Sequence, residues 1–140
     1  MINDMRQASR QRVAYSRPCW INVISFKKMT SRDLIVKVLD TSPHGVGIEA
    51  SHKVEPGFIW FAEKVDGKRG GLLMWSKKVD SVYRGGIKFV SLSPEHERII
   101  EEIFAEDGPL KDPLTVAETM LQSYRKNGGY IIQTDSDSDD

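Results

Sequence analysis

The chain has 140 residues with a formal net charge of zero, and 39% of its residues are hydrophobic. This length fits one globular domain with tails, large enough to bury a core without disulfides or a structural metal. The single cysteine, Cys19, excludes an internal disulfide, and the scattered histidines lack the spacing of metal ligands. Because no apolar run reaches the length of a membrane span and no secretory signal is visible, we expect a cytoplasmic protein.

The zero net charge hides a gradient along the chain. Residues 1–32 carry a net charge of +6, residues 33–94 of +2 and residues 95–140 of −8. A basic N-terminal segment is where an anionic ligand would bind, although a plain solvated arm has the same composition.

The first seventeen residues are polar and rich in arginine, so residues 1–17 are predicted to form a flexible basic arm. Residues 18–106 are predicted to form the folded domain. In its first part, β-forming residues alternate with turn residues, which predicts strands at 20–26, 34–39, 45–50, 58–65, 72–79 and 86–92. Six strands joined by short connections predict a mainly β fold, a six-stranded antiparallel barrel.

Two helices are predicted after the last strand. Ser93-Pro94 starts the first, which should close one end of the barrel or lie against its wall through an apolar stripe of Ile99, Ile100, Ile103 and Phe104. Asp112-Pro113 starts the second, inside a C-terminal extension over residues 107–133. The Asp and Ser run at residues 134–140 has nothing to bury, and we expect it to be disordered.

Two short motifs are candidates for ligand binding. Arg6 and Arg10 are four residues apart in the basic arm, and Asp40, Ser42 and Gly45 follow on a loop between predicted strands. The arginine fork matches phosphate oxygens and the O6 and N7 acceptors of guanine. Either motif alone is weak, because Asp, Ser and Gly also form ordinary turns.

Taken together, Arg-x-x-x-Arg followed by Asp-x-Ser-x-x-Gly resembles the signature of PilZ domains, which are bacterial receptors for cyclic di-GMP. That family folds as a six-stranded antiparallel barrel followed by a helix, and the resemblance covers residues 6–106. It implies a cyclic di-GMP site with no catalytic residue, metal or cofactor, formed by Arg6, Arg10, Asp40, Ser42 and Gly45.

The resemblance also implies a role for each residue. The two arginines bind phosphate and guanine, and Asp40 accepts hydrogen bonds from the Watson–Crick edge of guanine. Ser42 binds the base or a phosphate, and Gly45 adopts a positive φ and lets the ligand approach the main chain. Arg12 or Arg17 could replace one arginine, because residues 11–17 separate the motif from the first predicted strand.

The expected mechanism is ordering of the basic arm around cyclic di-GMP, which controls an unidentified protein partner in motility, biofilm or pilus output. An alternative is a PilZ-like adaptor that binds no nucleotide. No arrangement of a nucleophile and a base suggests an enzyme, and no basic stripe interleaved with aromatics suggests binding to nucleic acid.

Trp20, Trp60 and Trp75 lie in predicted strands. This placement is more typical of a barrel wall than of a ligand platform, although an exposed tryptophan could anchor a partner.

Overall fold

The computed structural model describes the backbone of residues 11–127 and the side chains of residues 17–127. Its elements follow the predicted order, with six strands before two helices. The strands are β1 (Gln11–Ser25), β2 (Ser31–Ser42), β3 (Gly45–Ala50), β4 (Gly57–Val65), β5 (Lys68–Val79) and β6 (Val82–Val90). The helices are α1 (Pro94–Phe104) and α2 (Pro113–Lys126).

The strands form a closed antiparallel barrel in the order β1-β2-β3-β6-β5-β4, with β4 paired back to β1. The prediction of a mainly β fold with a six-stranded antiparallel barrel is therefore confirmed. The long-range pairing of β3 with β6 closes the barrel beside the β2–β3 hairpin, so elements distant in sequence share one surface there.

Two apolar clusters divide the interior. The barrel lumen holds inward-facing strand residues, among them Val36, Ile48, Ile59, Phe61, Leu73 and Ile87. The second cluster lies between the outer barrel wall and the helices, and includes Phe58, Trp60, Leu72, Ile100, Val116 and Met120. Both helices therefore lie against the wall, which is one of the two arrangements expected for the first of them.

Both helix starts are the predicted ones. Ser93 is the N-cap of α1, and its Oγ accepts a hydrogen bond from the His96 N–H at 3.2 Å. Asp112 is the N-cap of α2, and its carboxylate accepts from the Thr115 N–H at 3.1 Å. Side-chain caps of this kind satisfy backbone donors that have no partner inside the helix.

The first strand begins earlier than predicted. Residues 11–17, predicted as part of the arm, belong to β1, because β2 also extends to Ser42 and supplies pairing partners for Gln11, Arg12 and Arg17. Gln11 pairs with Thr41 and Arg12 with Asp40. Arg6, Arg10 and the acidic run at residues 134–140 lie outside the described residues.

Candidate functional site

The turn of the β2–β3 hairpin is held by its own serine. Ser42 and Gly45 form the last cross-strand pair, and Pro43 and His44 are the two residues between them. The buried Ser42 Oγ accepts hydrogen bonds from the N–H groups of His44 at 3.2 Å and Gly45 at 3.3 Å. The His44 carbonyl oxygen in turn accepts from the Phe89 N–H at 2.8 Å, which ties the turn to β6. Ser42 thus sets the turn geometry, and its contact with ligand stays a prediction.

Gly45 is required by a close approach of two strands. A Cβ at this position would overlap the carbonyl oxygen of Ile87 in β6 and lie 3.3 Å from the Cα of Lys88. The expectation of a positive φ was wrong, since among the described glycines only Gly67 and Gly108 have one. The space that glycine leaves here is occupied by the backbone of β6, and a contact of Gly45 with ligand stays a prediction.

A bulge turns Asp40 to the outside of the barrel. Val38 pairs with Ile48 and Asp40 with Gly47, so Leu39 is an inserted residue in β2. Val38 is buried in the lumen, and in a regular strand a residue two positions later faces the same way. The bulge reverses that direction, as bulges do beside functional sites. The half-buried Asp40 carboxylate consequently lies over Gly47, where a Cβ would be 3.0 Å from Oδ1.

A second bulge turns Trp75 outward in the same way. Leu73 pairs with Ile87 and Trp75 with Gly86, which leaves Met74 as the inserted residue in β5. Leu73 is buried in the lumen, whereas Trp75 is 50% exposed. A Cβ on Gly86 would overlap the Trp75 indole, so the ring lies directly above that glycine. Trp75 is therefore half-exposed on the outer face of the barrel wall, and whether it also contacts a ligand stays a prediction.

These residues belong to one row across five strands. Arg12 pairs with Asp40, Asp40 with Gly47, Gly47 with Gly86, and Gly86 with Trp75. The two central positions have no side chains, and paired Cα atoms lie about 4.5 to 5.5 Å apart. The Asp40 carboxylate and the Trp75 indole therefore lie next to each other over a glycine floor, the Gly47–Gly86 pair. A glycine inside a strand, such as Gly47 or Gly86, is the sequence signal from which this floor could have been predicted.

Cationic side chains flank the glycine floor on β6. Arg84 and Lys88 are exposed and lie two residues on either side of Gly86, so all three share the outer face. Arg84 Nε is 3.9 Å from Glu49 Oε1. Lys88 Nζ donates to Tyr124 Oη at 3.2 Å and lies 5.5 Å from the centre of that ring, which links the site to α2. An anion on the floor would find cations on both sides.

Among the predicted arginines, Arg6 and Arg10 lie outside the described residues. The main chain of Arg12 is paired with that of Asp40, whereas Arg17 is paired with Val38. Between these two pairs β1 advances five residues and β2 only two, so an irregular segment of β1 separates Arg17 from the row. Of the two open replacements, Arg12 is the one whose backbone adjoins the site.

A serine and a histidine also meet between the helices. His96 Nδ1 is 2.5 Å from Ser123 Oγ, which accepts a further hydrogen bond from the Ser93 N–H. Ser123 is only 1% exposed, so this pair fastens α1 to α2 and no substrate in solvent reaches the hydroxyl. The other candidate nucleophile is Cys19, whose pKa is raised by burial and by the charge of Glu63. A raised pKa leaves less of the reactive thiolate at neutral pH.

Comparison with known proteins gave no match: no protein-family model fits the chain, and no curated protein is similar to it. Within residues 11–127, no helix is both long and apolar enough to cross a membrane. The same part of the chain contains no group of three or more His, Cys, Asp or Glu side chains that could hold a metal ion. The candidate site therefore depends on the geometry around the β2–β3 hairpin.

Proposed function

We propose that this protein is a PilZ-type receptor for cyclic di-GMP. The observation that carries the proposal is the placement of the Asp40 carboxylate and the Trp75 indole next to each other over the Gly47–Gly86 pair. The Arg-x-x-x-Arg and Asp-x-Ser-x-x-Gly motifs and the six-stranded antiparallel barrel support the same assignment.

The guanine base fits the chemistry of this row. Its N1–H and N2–H groups are donors, and the Asp40 carboxylate is the complementary acceptor. Its flat face can stack on the half-exposed Trp75 indole, as bases do on aromatic side chains. The two glycines make room for these two side chains, since a Cβ on Gly47 would crowd the Asp40 carboxylate and a Cβ on Gly86 would overlap the Trp75 indole.

The phosphates need cations, and the chain supplies them from two directions. Arg6, Arg10 and Arg12 are assigned the phosphate contacts in this function, since the backbone of Arg12 is paired with that of Asp40 and the other two precede it in the sequence. Lys88 approaches from β6. Guanidinium groups bind phosphate and guanine edges with paired donors, whereas the lysine acts as a point charge.

The signal passes to an unidentified protein partner. Residues 1–10 become ordered over the ligand, and the ordered segment creates the surface that the partner binds. The protein works in the cytoplasm as a regulator of motility, biofilm or pilus output, with no catalytic step, no metal and no cofactor of its own.

Calorimetric titration of the full chain with cyclic di-GMP tests this function. We expect saturable binding that Asp40→Asn weakens about thirty-fold, which corresponds to about 2 kcal/mol for a lost bidentate contact. Asp66→Asn is the matched control, because Asp66 is a turn residue in the β4–β5 hairpin and Asn tolerates its φ of 52°. Absence of heat in the wild type, or equal affinity of the Asp40 and Asp66 variants, would contradict the proposal.

A second candidate is an adaptor that keeps the fold and binds no nucleotide. It is favoured by the pair of Trp20 and Ile35, which are 56% and 50% exposed and directly opposite each other on β1 and β2. Exposed tryptophans are typical anchors in protein interfaces. The same titration separates the two candidates, since the adaptor gives no heat with cyclic di-GMP.

A further inference from the structure

A cavity of about 340 Å³ opens in the barrel wall at the C-terminal end of α1. Its lining includes Ile21, Asn22, Asp33, Trp60, Arg69 and Phe104. On β2, Asp33 and Asp40 are seven residues apart, which is roughly 23 Å at about 3.3 Å per residue. The cavity is therefore separate from the glycine floor, and its volume is at the small end of the range of about 300 to 1,000 Å³ for ligand clefts. It suits a single side chain better than a dinucleotide.

One wall of the cavity is rigid. Trp60 and Phe104 are stacked with ring centroids 5.5 Å apart and an interplanar angle of 1°. The Arg69 guanidinium lies 4.3 Å from the centre of the Trp60 ring. Arg69 Nη1 donates to Glu101 Oε2 at 2.8 Å, and its Nε donates to the Phe61 carbonyl at 2.9 Å. These contacts hold Arg69 against the wall, so the cavity is formed without a ligand.

A buried asparagine positions one carboxylate of the cavity. Asn22 is 4% exposed, and its Nδ2 donates to Ser31 Oγ at 2.8 Å and to Asp33 Oδ1 at 2.9 Å. Because the Asp33 carboxylate needs a donor, the amide orientation is determined. Asn22 Oδ1 then has no hydrogen-bond partner in the described part of the chain. This oxygen is inaccessible to solvent and is not reached from the cavity, so the role of Asn22 here is to hold the Asp33 carboxylate.

The charge around the cavity is negative. Asp33 and Glu101 line the cavity, and Arg69 is the one cation among its lining residues. The last turn of α1 has no basic residue, and its C-cap, Ala105, also lines the cavity. The C-terminal end of a helix carries a partial negative charge from its carbonyl groups. A cationic donor is the complementary occupant.

Two exposed apolar side chains lie beside the cavity. Trp20 precedes Asn22 by two residues on β1, and Ile35 follows Asp33 by two residues on β2, so each shares the outer face with a cavity residue. Trp20 pairs directly with Ile35. An exposed apolar pair beside an acidic cavity fits a protein segment better than a free small cation.

We propose that this surface docks a protein partner through an arginine side chain that enters the cavity and an adjacent apolar side chain that covers Trp20 and Ile35. The guanidinium donates to the Asp33 carboxylate, and its planar fork suits paired contact with a carboxylate. This docking does not depend on nucleotide binding, because the cavity and the glycine floor share no residue.

The test is amide-shift mapping of the full chain with N-acetyl-leucyl-arginine amide as the probe. N-acetyl-leucyl-citrulline amide is the control, because citrulline has the shape of arginine without its charge. We expect the Trp20 indole N–H, the Asn22 side-chain amide and the Ala105 amide to shift with the arginine peptide, and at least about tenfold weaker binding of the citrulline peptide. An equal response to both peptides, or shifts confined to other residues, would overturn the proposal.

Asp33→Asn provides the matched variant, since asparagine can still accept from Asn22 while the negative charge is lost. We expect this variant to bind the arginine peptide about tenfold more weakly than wild type does, and Asp66→Asn to bind it with unchanged affinity. Two results would assign the surface to another occupant and end the proposal. One is a lower sedimenting mass for Trp20→Ala than for wild type, which would show contact between two copies. The other is shifts of Trp20 and Asn22 on replacing Arg6 and Arg10 without peptide, which would show binding of the chain's own arm.

Discussion

Asp40 and Trp75 reach the same outer row of the barrel by the same device, a one-residue bulge directly before each of them. Leu39 is the inserted residue in β2 and Met74 the inserted residue in β5. Each bulge follows a residue buried in the lumen and reverses the direction of the next functional side chain. A carboxylate and an indole are thereby placed next to each other over two adjacent glycines, which is an arrangement suited to a flat base with donor groups.

Removal of the Trp75 indole should weaken cyclic di-GMP binding. We expect Trp75→Ala to lower the affinity about thirty-fold, because stacking of a base on an aromatic side chain contributes about 1 to 3 kcal/mol. Calorimetric titration measures the change. Trp20→Ala is the matched control, since Trp20 is equally exposed on a different part of the wall, and its affinity should equal that of wild type. A larger loss in the Trp20 variant than in the Trp75 variant would place the ligand elsewhere.

The floor under the indole should tolerate no side chain. In Gly86→Ala the new Cβ overlaps the Trp75 ring, and we expect the free energy of unfolding to fall by about 1 to 3 kcal/mol, as for overpacked sites. Urea denaturation measures this value. In the Trp75→Ala background the clash is gone, so adding Gly86→Ala should cost little. Equal destabilisation in both backgrounds would show that the alanine is strained for another reason.

The arginines should differ in their contribution. We expect Arg6→Ala, Arg10→Ala and Arg12→Ala each to lower the affinity for cyclic di-GMP at least about tenfold, because a good bidentate contact is worth about 1 to 3 kcal/mol. Arg17→Ala is the control with the same change of charge, and it should bind like wild type since Arg17 is paired with Val38 beyond the irregular part of β1. If the four variants bind alike, the effect is one of net charge and no specific contact is involved.

Helix α2 should lose stability in acid through its N-cap. Hydrogen bonds from Thr115, from its side chain and from its backbone N–H, hold the pKa of Asp112 below its ordinary value of 3.8. A lowered pKa in the folded state stabilises the helix above pH 3.8, and this contribution disappears as the pH falls through the lower folded value. Amide hydrogen exchange of α2 as a function of pH should show the loss.

Two variants separate the charge of Asp112 from its capping role. Asp112→Asn keeps a capping oxygen without a titrating group, so its exchange should vary less across this pH range. Asp112→Ala should be less protected than wild type at neutral pH and match it in strong acid. A pH response of the alanine variant as steep as that of wild type would assign the effect to another group.

The amino-acid sequence by itself determined the elements of this protein. Alternating β-formers and turn residues located six strands, and Ser93-Pro94 and Asp112-Pro113 located both helix starts, because these signals act between near neighbours in the chain. Ser93 and Asp112, each followed by a proline, are recognisable as helix starts without any knowledge of packing. The Asp40, Ser42 and Gly45 pattern was visible for the same reason.

Only the tertiary structure decided which side chains share a surface. A one-residue bulge reverses every later side chain in a strand, and it is defined by the partner strand, so no local pattern marked Leu39 or Met74. The pairing of Gly47 with Gly86 joins strands far apart in the sequence. The exposure of Trp75 follows from the bulge in the pairing of β5 with β6, and the acidic cavity beside Trp20 from the meeting of α1 with β1, β2, β4 and β5. Propensity and spacing contain neither.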